Sequence, residues 1–332
     1  MTQDTSAAAA LVATAFAGAA FGSAQAQQKI SIPSVTPAAM GALLRHEAPP
    51  ATVTGELYLP ARASGALPAL VLKHGSGGLQ GPTGTNIRKW AATFAGWGVA
   101  ALVVDSFAPR GLTSTATDQS KLSSWADVAD ALAALQVLGA DSRFDRSRIG
   151  IVGWSRGGGA AFNTTLETVR KSMIKDELKF ALHIAFYGPA DLQYRDRATD
   201  LSPVLFLHGE ADNYTPIGPI REFADWLQSQ GNPVTLVSYP KAWHDFDLQG
   251  GPQVFAKDLE VYAKCDLVFD IATGRTIRMN HVGAPKASAE DMRAYFKSCI
   301  TRGANLGFDA AARANASERI HAFLTQYFQL AQ

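Results

Sequence analysis

The sequence predicts an α/β fold in which helices cover both faces of a mostly parallel central sheet. Short, continuous apolar runs are typical of parallel strands buried on both faces, and they occur at 69–73, 99–105, 149–154, 181–186, 204–207 and 234–238. Stretches with apolar residues at helical spacing lie between or after them, at 86–95, 125–138, 158–169 and 220–229. Repeated strand–helix alternation implies right-handed crossovers between parallel strands. An alternating segment at 56–59 predicts one antiparallel strand.

The composition favours a folded domain that acts on a small molecule. The chain has 332 residues, of which 47% are hydrophobic and 18% charged, and a formal net charge of +1. That balance gives no electrostatic case for a nucleic-acid partner. We expect a single domain over residues 27–332, with a small or neutral substrate and no cofactor. The oligomeric state is left open.

The first 26 residues resemble a signal peptide. An apolar, alanine-rich run at 7–21 is followed by Ala24-Gln25-Ala26, which fits the small-x-small cleavage pattern. The segment departs from the usual pattern because no basic residue precedes Lys29. A disordered tail or a membrane anchor is the alternative. The prediction is a periplasmic or secreted protein, and no later segment reads as a membrane span.

The stretch from 250 to 315 breaks the strand–helix rhythm and contains both cysteines, Cys265 and Cys299. In an exported chain this pair predicts a disulfide that closes a local loop; two unpaired buried thiols are the alternative. We interpret the stretch as an excursion from the domain, either part of a lid or a peripheral decoration. An amphipathic helix is expected after it, at 316–327.

The strongest chemical signal is Gly153-Trp154-Ser155-Arg156-Gly157, which fits the G-x-S-x-G pattern. It follows a predicted strand and precedes a helical stretch, and this context indicates a strained turn that exposes the serine hydroxyl. Small residues two positions away on each side let neighbouring backbone pack against the turn. Ser155 is therefore the candidate nucleophile.

A serine nucleophile needs a base and an acid that orients the base. His244 follows the predicted strand at 234–238, and Asp212 lies in the turn after the strand at 204–207. The chain order serine, acid, histidine fits this arrangement. Glu210 and Asp191 are competing candidates for the acid.

An oxyanion hole needs two backbone N–H groups. One is expected from Arg156, directly after the nucleophile. The other is expected from the glycine-rich turn after the first apolar run, His74-Gly75-Ser76-Gly77-Gly78, with Ser76 or Gly77 as the donor. A tight turn without catalytic use is the alternative for that segment.

Together these segments resemble the dienelactone hydrolase family, over about residues 53–324. The resemblance rests on the five segments 74–78, 105–111, 148–158, 207–212 and 243–246. It implies an α/β-hydrolase fold, a Ser/Cys–His–Asp triad, no metal, and hydrolysis of esters or lactones. The family's founding members are cytosolic and have a cysteine nucleophile, whereas this chain has Ser155, a predicted leader and the two-cysteine excursion.

Four further residues are candidates for substrate binding. Arg110 follows a strand at the expected catalytic edge, where a guanidinium can hold a carboxylate in bidentate fashion. A solvent-facing or structurally paired arginine is the alternative. The aromatic residues Trp154, Trp243 and Tyr187 are candidates for an apolar pocket, with core packing as the alternative for each.

The function predicted from the residues is a serine hydrolase that cleaves carboxylic esters or lactones through an acyl-enzyme. Two rivals remain at this point. The motif around Ser155 also resembles polyester hydrolases and prolyl-oligopeptidase-like peptidases, which leaves an exopeptidase acting on aminoacyl amides. A non-catalytic binding protein on the same fold is the other rival, and it would lack an assembled triad.

Overall fold

The central sheet contains eight strands in a computed structural model that describes residues 28–62, 65–279 and 289–330. The predicted signal peptide lies outside the described residues. Along the described chain the strands are β1 (Gln28–Val35), β2 (Pro50–Tyr58), β3 (Leu67–Lys73), β4 (Ala100–Asp105), β5 (Phe144–Trp154), β6 (His183–Phe186), β7 (Leu192–Arg195), β8 (Val204–Gly209), β9 (Val234–Tyr239), β10 (Val254–Val261), β11 (Leu267–Asp270), β12 (Arg275–Met279) and β13 (Thr301–Leu306).

The order of the central strands is β1-β2-β4-β3-β5-β6-β8-β9. Strand β2 pairs antiparallel with both β1 and β4, and every pairing from β4 to β9 is parallel. The predicted mostly parallel sheet is therefore confirmed. Because the parallel strands all end at one edge, the loops after β3, β5, β6, β8 and β9 meet there.

Helices cover both faces of this sheet, as predicted. They are α1 (Met40–Leu44), α2 (Gly81–Gly96), α3 (Ser124–Ala140), α4 (Arg156–Asn163), α5 (Glu167–Met173), α6 (Ile217–Ser229) and α8 (Ala310–Phe328). Helix α7 (Ala289–Cys299) packs within the excursion, against Cys265 and Leu267. Neighbouring strand residues point to opposite faces. Val71 packs in a core with α3 and α4, whereas Leu70 and Leu72 pack in a second core with α2 and α8.

The helical stretch predicted at 158–169 is two helices, α4 and α5. The hydroxyls of Thr164 and Thr165 donate to the carbonyl oxygens of Ala161 and Phe162, at 2.7 and 2.6 Å. Threonine hydroxyls that take up local carbonyl groups compete with continuation of a helix. The last helix begins at Ala310 rather than at 316, because Asp309 caps it by accepting the Ala312 N–H at 3.0 Å.

The excursion between β9 and α8 forms two small sheets and a helix. Strand β10 pairs with β13, and β11 pairs with β12 on one side and with β7 on the other. The pairing of β11 with β7 is parallel and joins the excursion to the main body of the domain. The predicted disulfide between Cys265 and Cys299 is confirmed, and it is buried against Leu267 and Tyr295. Among the described helices, none is long and apolar enough to cross a membrane.

Candidate active site

Ser155 occupies a sharp turn between β5 and α4. Its backbone has φ 53° and ψ −121°, in the region that non-glycine residues seldom adopt. The neighbouring glycines make this turn sterically feasible. A Cβ on Gly153 would lie 1.9 Å from the Gly157 carbonyl oxygen, and one on Gly157 would lie 2.2 Å from the Lys73 carbonyl oxygen. The turn that the G-x-S-x-G pattern predicts is present, with α4 starting directly after it.

The structure brings Ser155, His244 and Asp212 together at the edge where the parallel strands end. His244 Nε2 lies 2.9 Å from Ser155 Oγ, and His244 Nδ1 lies 2.7 Å from Asp212 Oδ2. These distances allow the serine hydroxyl to donate to one ring nitrogen while the other donates to the carboxylate. All three side chains are buried, with Ser155 exposed most, at 9%.

Asp212 is held as an ionised, oriented acceptor. Its Oδ1 accepts the backbone N–H groups of Tyr214 and Thr215, at 2.8 and 2.9 Å. The Thr215 hydroxyl lies 2.9 Å from Oδ2, beside the His244 contact. Burial by itself would raise the pKa of Asp212, but the charge and hydrogen bond of His244 bring that pKa below its usual value.

The His244 imidazole lies between two aromatic rings. Its ring centroid is 4.4 Å from that of Tyr187 and 4.7 Å from that of Tyr214. Burial favours the neutral ring, yet the charge of Asp212 and its hydrogen bond raise the pKa of His244 above the ordinary value. The His244 carbonyl oxygen accepts the Gly307 N–H at 2.9 Å, so the end of the excursion also supports this loop.

A fully buried carboxylate, Asp247, anchors the loop that carries His244. Its Oδ2 accepts the indole N–H groups of Trp90 and Trp154 at 2.7 and 2.9 Å and the Asn86 amide at 2.9 Å. Its Oδ1 accepts the Tyr187 hydroxyl at 2.5 Å. The donors come from α2, from the end of β5 and from the residue after β6, so one side chain ties three elements to the histidine loop.

Buried charges lie beneath the start of α4. The Arg156 guanidinium donates to Asp127 Oδ2 and to the Leu122 carbonyl oxygen, each at 2.6 Å. The ammonium of Lys73 is 3.6 Å from the other Asp127 oxygen and donates to Ser106 Oγ. Although burial alone would raise the pKa of Asp127, the neighbouring cations lower it. These contacts fix the residue whose backbone N–H follows the nucleophile.

The predicted oxyanion segment lies against the nucleophile. A Cβ on Gly75 would be 3.1 Å from Ser155 Cβ, so this turn lies close to the serine and leaves little room for a larger residue. The Ser76 carbonyl oxygen accepts the Thr115 N–H at 2.8 Å, which orients the peptide. Arg156 is the first residue of α4, where backbone N–H groups have no partner within the helix. The structure thus places Arg156, Ser76 and Gly77 around Ser155.

Ser155 lies between two cavities of very different size. The larger has a volume of about 880 Å³ and the smaller about 150 Å³. Ser76, Ser155 and Tyr214 line both of them. Apolar side chains from α3, β7 and the excursion dominate the larger cavity; they include Trp125, Val128, Leu192, Tyr194, Leu267, Phe269 and Phe296. The excursion is therefore a wall of the larger cavity and not a peripheral decoration.

The prediction that Arg110 binds substrate is wrong. Its guanidinium donates to both Asp130 oxygens, at 2.7 and 3.0 Å, to Thr36 Oγ1 at 2.9 Å, and to two backbone carbonyl oxygens. These contacts use every N–H of the side chain. Arg110 lines neither cavity, and it instead neutralises a carboxylate that is itself fully buried.

The three aromatic candidates differ in their positions. Trp243 lines neither of the two cavities and packs beside Gly307, as its alternative role in packing implies. Trp154 and Tyr187 do line the smaller cavity, and both donate to Asp247. Burial, followed by the charge of Asp247, holds the pKa of Tyr187 well above its usual value, so the phenol remains a donor.

The competing acids lie away from His244. Glu210 pairs with Arg221 at 3.0 Å near the surface. Asp191 is buried in the lining of the larger cavity and has no contact with the imidazole. Over residues 28–62, 65–279 and 289–330, no group of three or more acidic, histidine or cysteine side chains is arranged to hold a metal ion.

Sequence reasoning missed the residues that support the triad. Asp127 and Asp130 look like the polar side of an amphipathic helix, yet both are fully buried. Asp247 lies three residues after His244 and carries no motif of its own. Only the burial of Asp127 and Asp130 could have been predicted. Nearly all other positions of α3 are apolar, so the helix has no solvent-facing side on which the two carboxylates could lie.

Comparison with known proteins places the chain in a family. The family model for dienelactone hydrolases matches residues 53–268, well over half of the sequence. The chain belongs to the dienelactone hydrolase family. Its residues after 268, including α7 and α8, lie beyond the segment that the family model matches.

Two solved structures show the same fold. One is a proposed dienelactone hydrolase from Klebsiella pneumoniae, with 17% identity, coverage of 91% of this chain and 100% of that one, and a TM-score of 0.53. The other is a dienelactone hydrolase-like promiscuous phosphotriesterase from metagenomic libraries, with 15% identity, coverage of 90% and 98%, and a TM-score of 0.51. The comparison with curated proteins found no significant match. At these identities the structural likeness shows the fold alone.

Replacing Asp247 by alanine is expected to destabilise the protein by about 3–5 kcal/mol, because four buried donors lose their acceptor. Urea unfolding measures the effect. Asp225→Ala, an exposed position on α6, is the matched control and should change the free energy of unfolding by less than about 0.5 kcal/mol. Equal stability of the two variants would contradict the anchoring role of Asp247.

The pH profile of kcat/KM for a neutral ester should show an acidic limb above the ordinary histidine pKa of about 6.5. His244 must be neutral to accept the serine proton, and Asp212 raises its pKa. Activity is therefore expected to fall as the pH drops through that raised pKa. Stopped assays with two esters of different leaving group check that the limb belongs to the enzyme. A limb at or below 6.5 for both esters would refute the assignment.

Proposed function

We propose that this member of the dienelactone hydrolase family is a serine hydrolase that cleaves carboxylic esters or lactones through an acyl-enzyme. In this proposal Ser155 is the nucleophile, His244 the general base and acid, and Asp212 the group that orients the imidazole. The observation that carries it is the continuous chain of contacts from Ser155 Oγ through both ring nitrogens of His244 to Asp212.

The proposed reaction has two halves. Ser155 Oγ attacks the ester carbonyl carbon while His244 Nε2 takes the hydroxyl proton, and the backbone N–H groups of Arg156 and Ser76 or Gly77 stabilise the oxyanion. His244 returns the proton to the leaving alcohol as the C–O bond breaks. Water then attacks the acyl-enzyme, with His244 again as base, and Ser155 regains its proton when the acid leaves.

The two cavities support a substrate with unequal parts. Because Ser155 lies where the cavities meet, one part of an ester would occupy the large apolar cavity and the other the small one. His244 also lines the smaller cavity, as protonation of a departing alcohol requires. The excursion contributes apolar lining residues such as Leu267 and Phe296. Because the lining is apolar, we expect the larger part of the substrate to be apolar.

The assembled triad argues against a non-catalytic binding protein, which would leave the serine without its base. An exopeptidase uses the same three residues, so the choice between ester and amide substrates falls to an activity screen. Hydrolysis of aminoacyl amides without hydrolysis of esters would replace the ester proposal by the exopeptidase.

Replacing Ser155 by alanine is expected to lower kcat for a short-chain aryl ester by roughly 10⁶-fold, and to abolish labelling by a fluorophosphonate. The physical reason is the loss of the only atom that forms the acyl-enzyme. Mass spectrometry of the labelled protein and a chromogenic assay measure both effects. Ser229→Ala, exposed on α6, is the control and should label normally. Full activity of the Ser155 variant would exclude the proposed nucleophile.

We also propose that the protein works in the periplasm or outside the cell, where the Cys265–Cys299 disulfide is stable. Protein expressed with its own leader should appear in the periplasmic or secreted fraction. If maleimide is added at lysis under denaturing conditions, no cysteine should react without prior reduction, and both should react after reduction. Cys265→Ser, which leaves Cys299 unpaired, is the positive control for labelling. Cytosolic protein with both thiols reactive would contradict the proposal.

A further inference from the structure

Two buried oxygen atoms in the lining of the larger cavity have no hydrogen-bond partner among the described residues. They are Asp191 Oδ1 and Asn163 Oδ1. Buried polar atoms in proteins are nearly always paired, so two unpaired acceptors in one cavity indicate a group that binds there. We call these two side chains the Asp191–Asn163 pair.

The two residues lie on segments that pack against each other, and one of these segments is the helix that follows the nucleophile. Asn163 ends α4, the helix that begins directly after Ser155, and Gly159 and Asn163 are one turn apart on its cavity face. Asp191 lies just before β7. A Cβ on Gly159 would be 3.4 Å from the ring of Pro189, so the helix and the segment leading to Asp191 pack side by side.

Among the residues that the structure describes, no cationic side chain forms an ion pair with Asp191. The side chain is only 3% exposed, and burial raises the pKa of Asp191 to about 8. Two other carboxylates, Asp212 and Asp266, raise it further. Arg156, the cationic side chain among the described lining residues, is already paired with Asp127 at 2.6 Å. The lining therefore contains unpaired oxygen atoms and a carboxyl group that an incoming cation would help to ionise.

Aromatic rings of the same cavity favour a cation over a neutral polar group. Trp125, Tyr194 and Phe269 line it, and their rings touch in sequence with centroid separations of 4.7 and 6.1 Å. Tyr194 lies on β7, three residues after Asp191. Aromatic faces attract ammonium groups, most strongly where water is excluded.

We propose that the Asp191–Asn163 pair binds the ammonium group of a substrate, so that the preferred esters carry a primary amine beyond an apolar spacer. This inference rests on the proposed ester hydrolysis in that it treats the bound ligand as a substrate. Binding of the ammonium group itself requires no turnover. The ammonium N–H groups donate to Asp191 Oδ1 and Asn163 Oδ1, and its charge favours the ionised carboxylate.

Binding of hexylammonium and of hexan-1-ol to the whole protein at pH 8, measured by calorimetry, tests the proposal without catalysis. Hexylammonium is expected to bind at least about tenfold more tightly, as a hydrogen bond to a charged group implies. In Asp191→Asn the ratio of the two affinities should fall to near one. Asp225→Asn, exposed on α6, removes the same charge elsewhere and should keep the ratio.

A matched pair of esters extends the test to turnover. The p-nitrophenyl esters of 6-aminohexanoic and heptanoic acid place the amine on the acyl side, and 6-aminohexyl and heptyl acetate place it on the alcohol side. In one of the two pairs the amine should raise kcat/KM at least about tenfold, and Asp191→Asn should remove that ratio. Equal or tighter binding of hexan-1-ol by the unaltered protein overturns the proposal whatever the variants do. If the unaltered protein binds hexylammonium but hydrolyses none of the esters, the hydrolase proposal alone is refuted.

Discussion

The hydrogen bonds that converge on Asp247 determine where His244, the proposed catalytic base, lies. Four donors from separate elements meet this carboxylate, and they include both indole N–H groups of the Trp90–Trp154 pair. Each donor is buried, so each would be costly without its acceptor. The Asp247 carboxylate therefore makes one loop conformation much lower in free energy than its alternatives. His244, three residues earlier on that loop, takes its position from this constraint as much as from its own bond to Asp212.

A second buried network supports the other half of the site. Asp127 and Asp130 lie on α3, one turn apart, and receive Arg156 and Arg110 respectively. Lys73 and Ser106 connect the two carboxylates through the ends of β3 and β4. The charges are thus distributed between the helix and the strand ends that surround the nucleophile. Such networks add little net stability but are costly to break. They therefore favour one conformation of the turn at Ser155 over others.

The sequence allowed the triad and the sheet to be predicted because their signals are local. A strand, a turn with small residues and a helix follow one another around Ser155, and the acid and the base each follow a strand. Arg110 was misread because its partners, Asp130 and the end of β1, are remote in sequence, and nothing in the loop itself reveals which way the side chain turns.

The structure of the excursion could not be predicted for the same reason. Its strands are short, one of them pairs with β7 from the main body, and neither fact leaves a periodic pattern in residues 250–309.

The bond between the Gly307 N–H and the His244 carbonyl oxygen makes the position of the proposed base depend on a segment far along the chain. Synthesis proceeds from the N-terminus, so the central sheet and the nucleophile turn are complete before the segment that braces the histidine loop has been made. Residues 300–309 also close one wall of the smaller cavity through Leu306. A chain interrupted before this point would lack this support and would also lack α8, whose buried side chains complete the core around Leu70 and Leu72. In the proposed mechanism, activity therefore depends on the C-terminal segments 300–309 and α8 as well as on the segments that carry Ser155, Asp212 and His244.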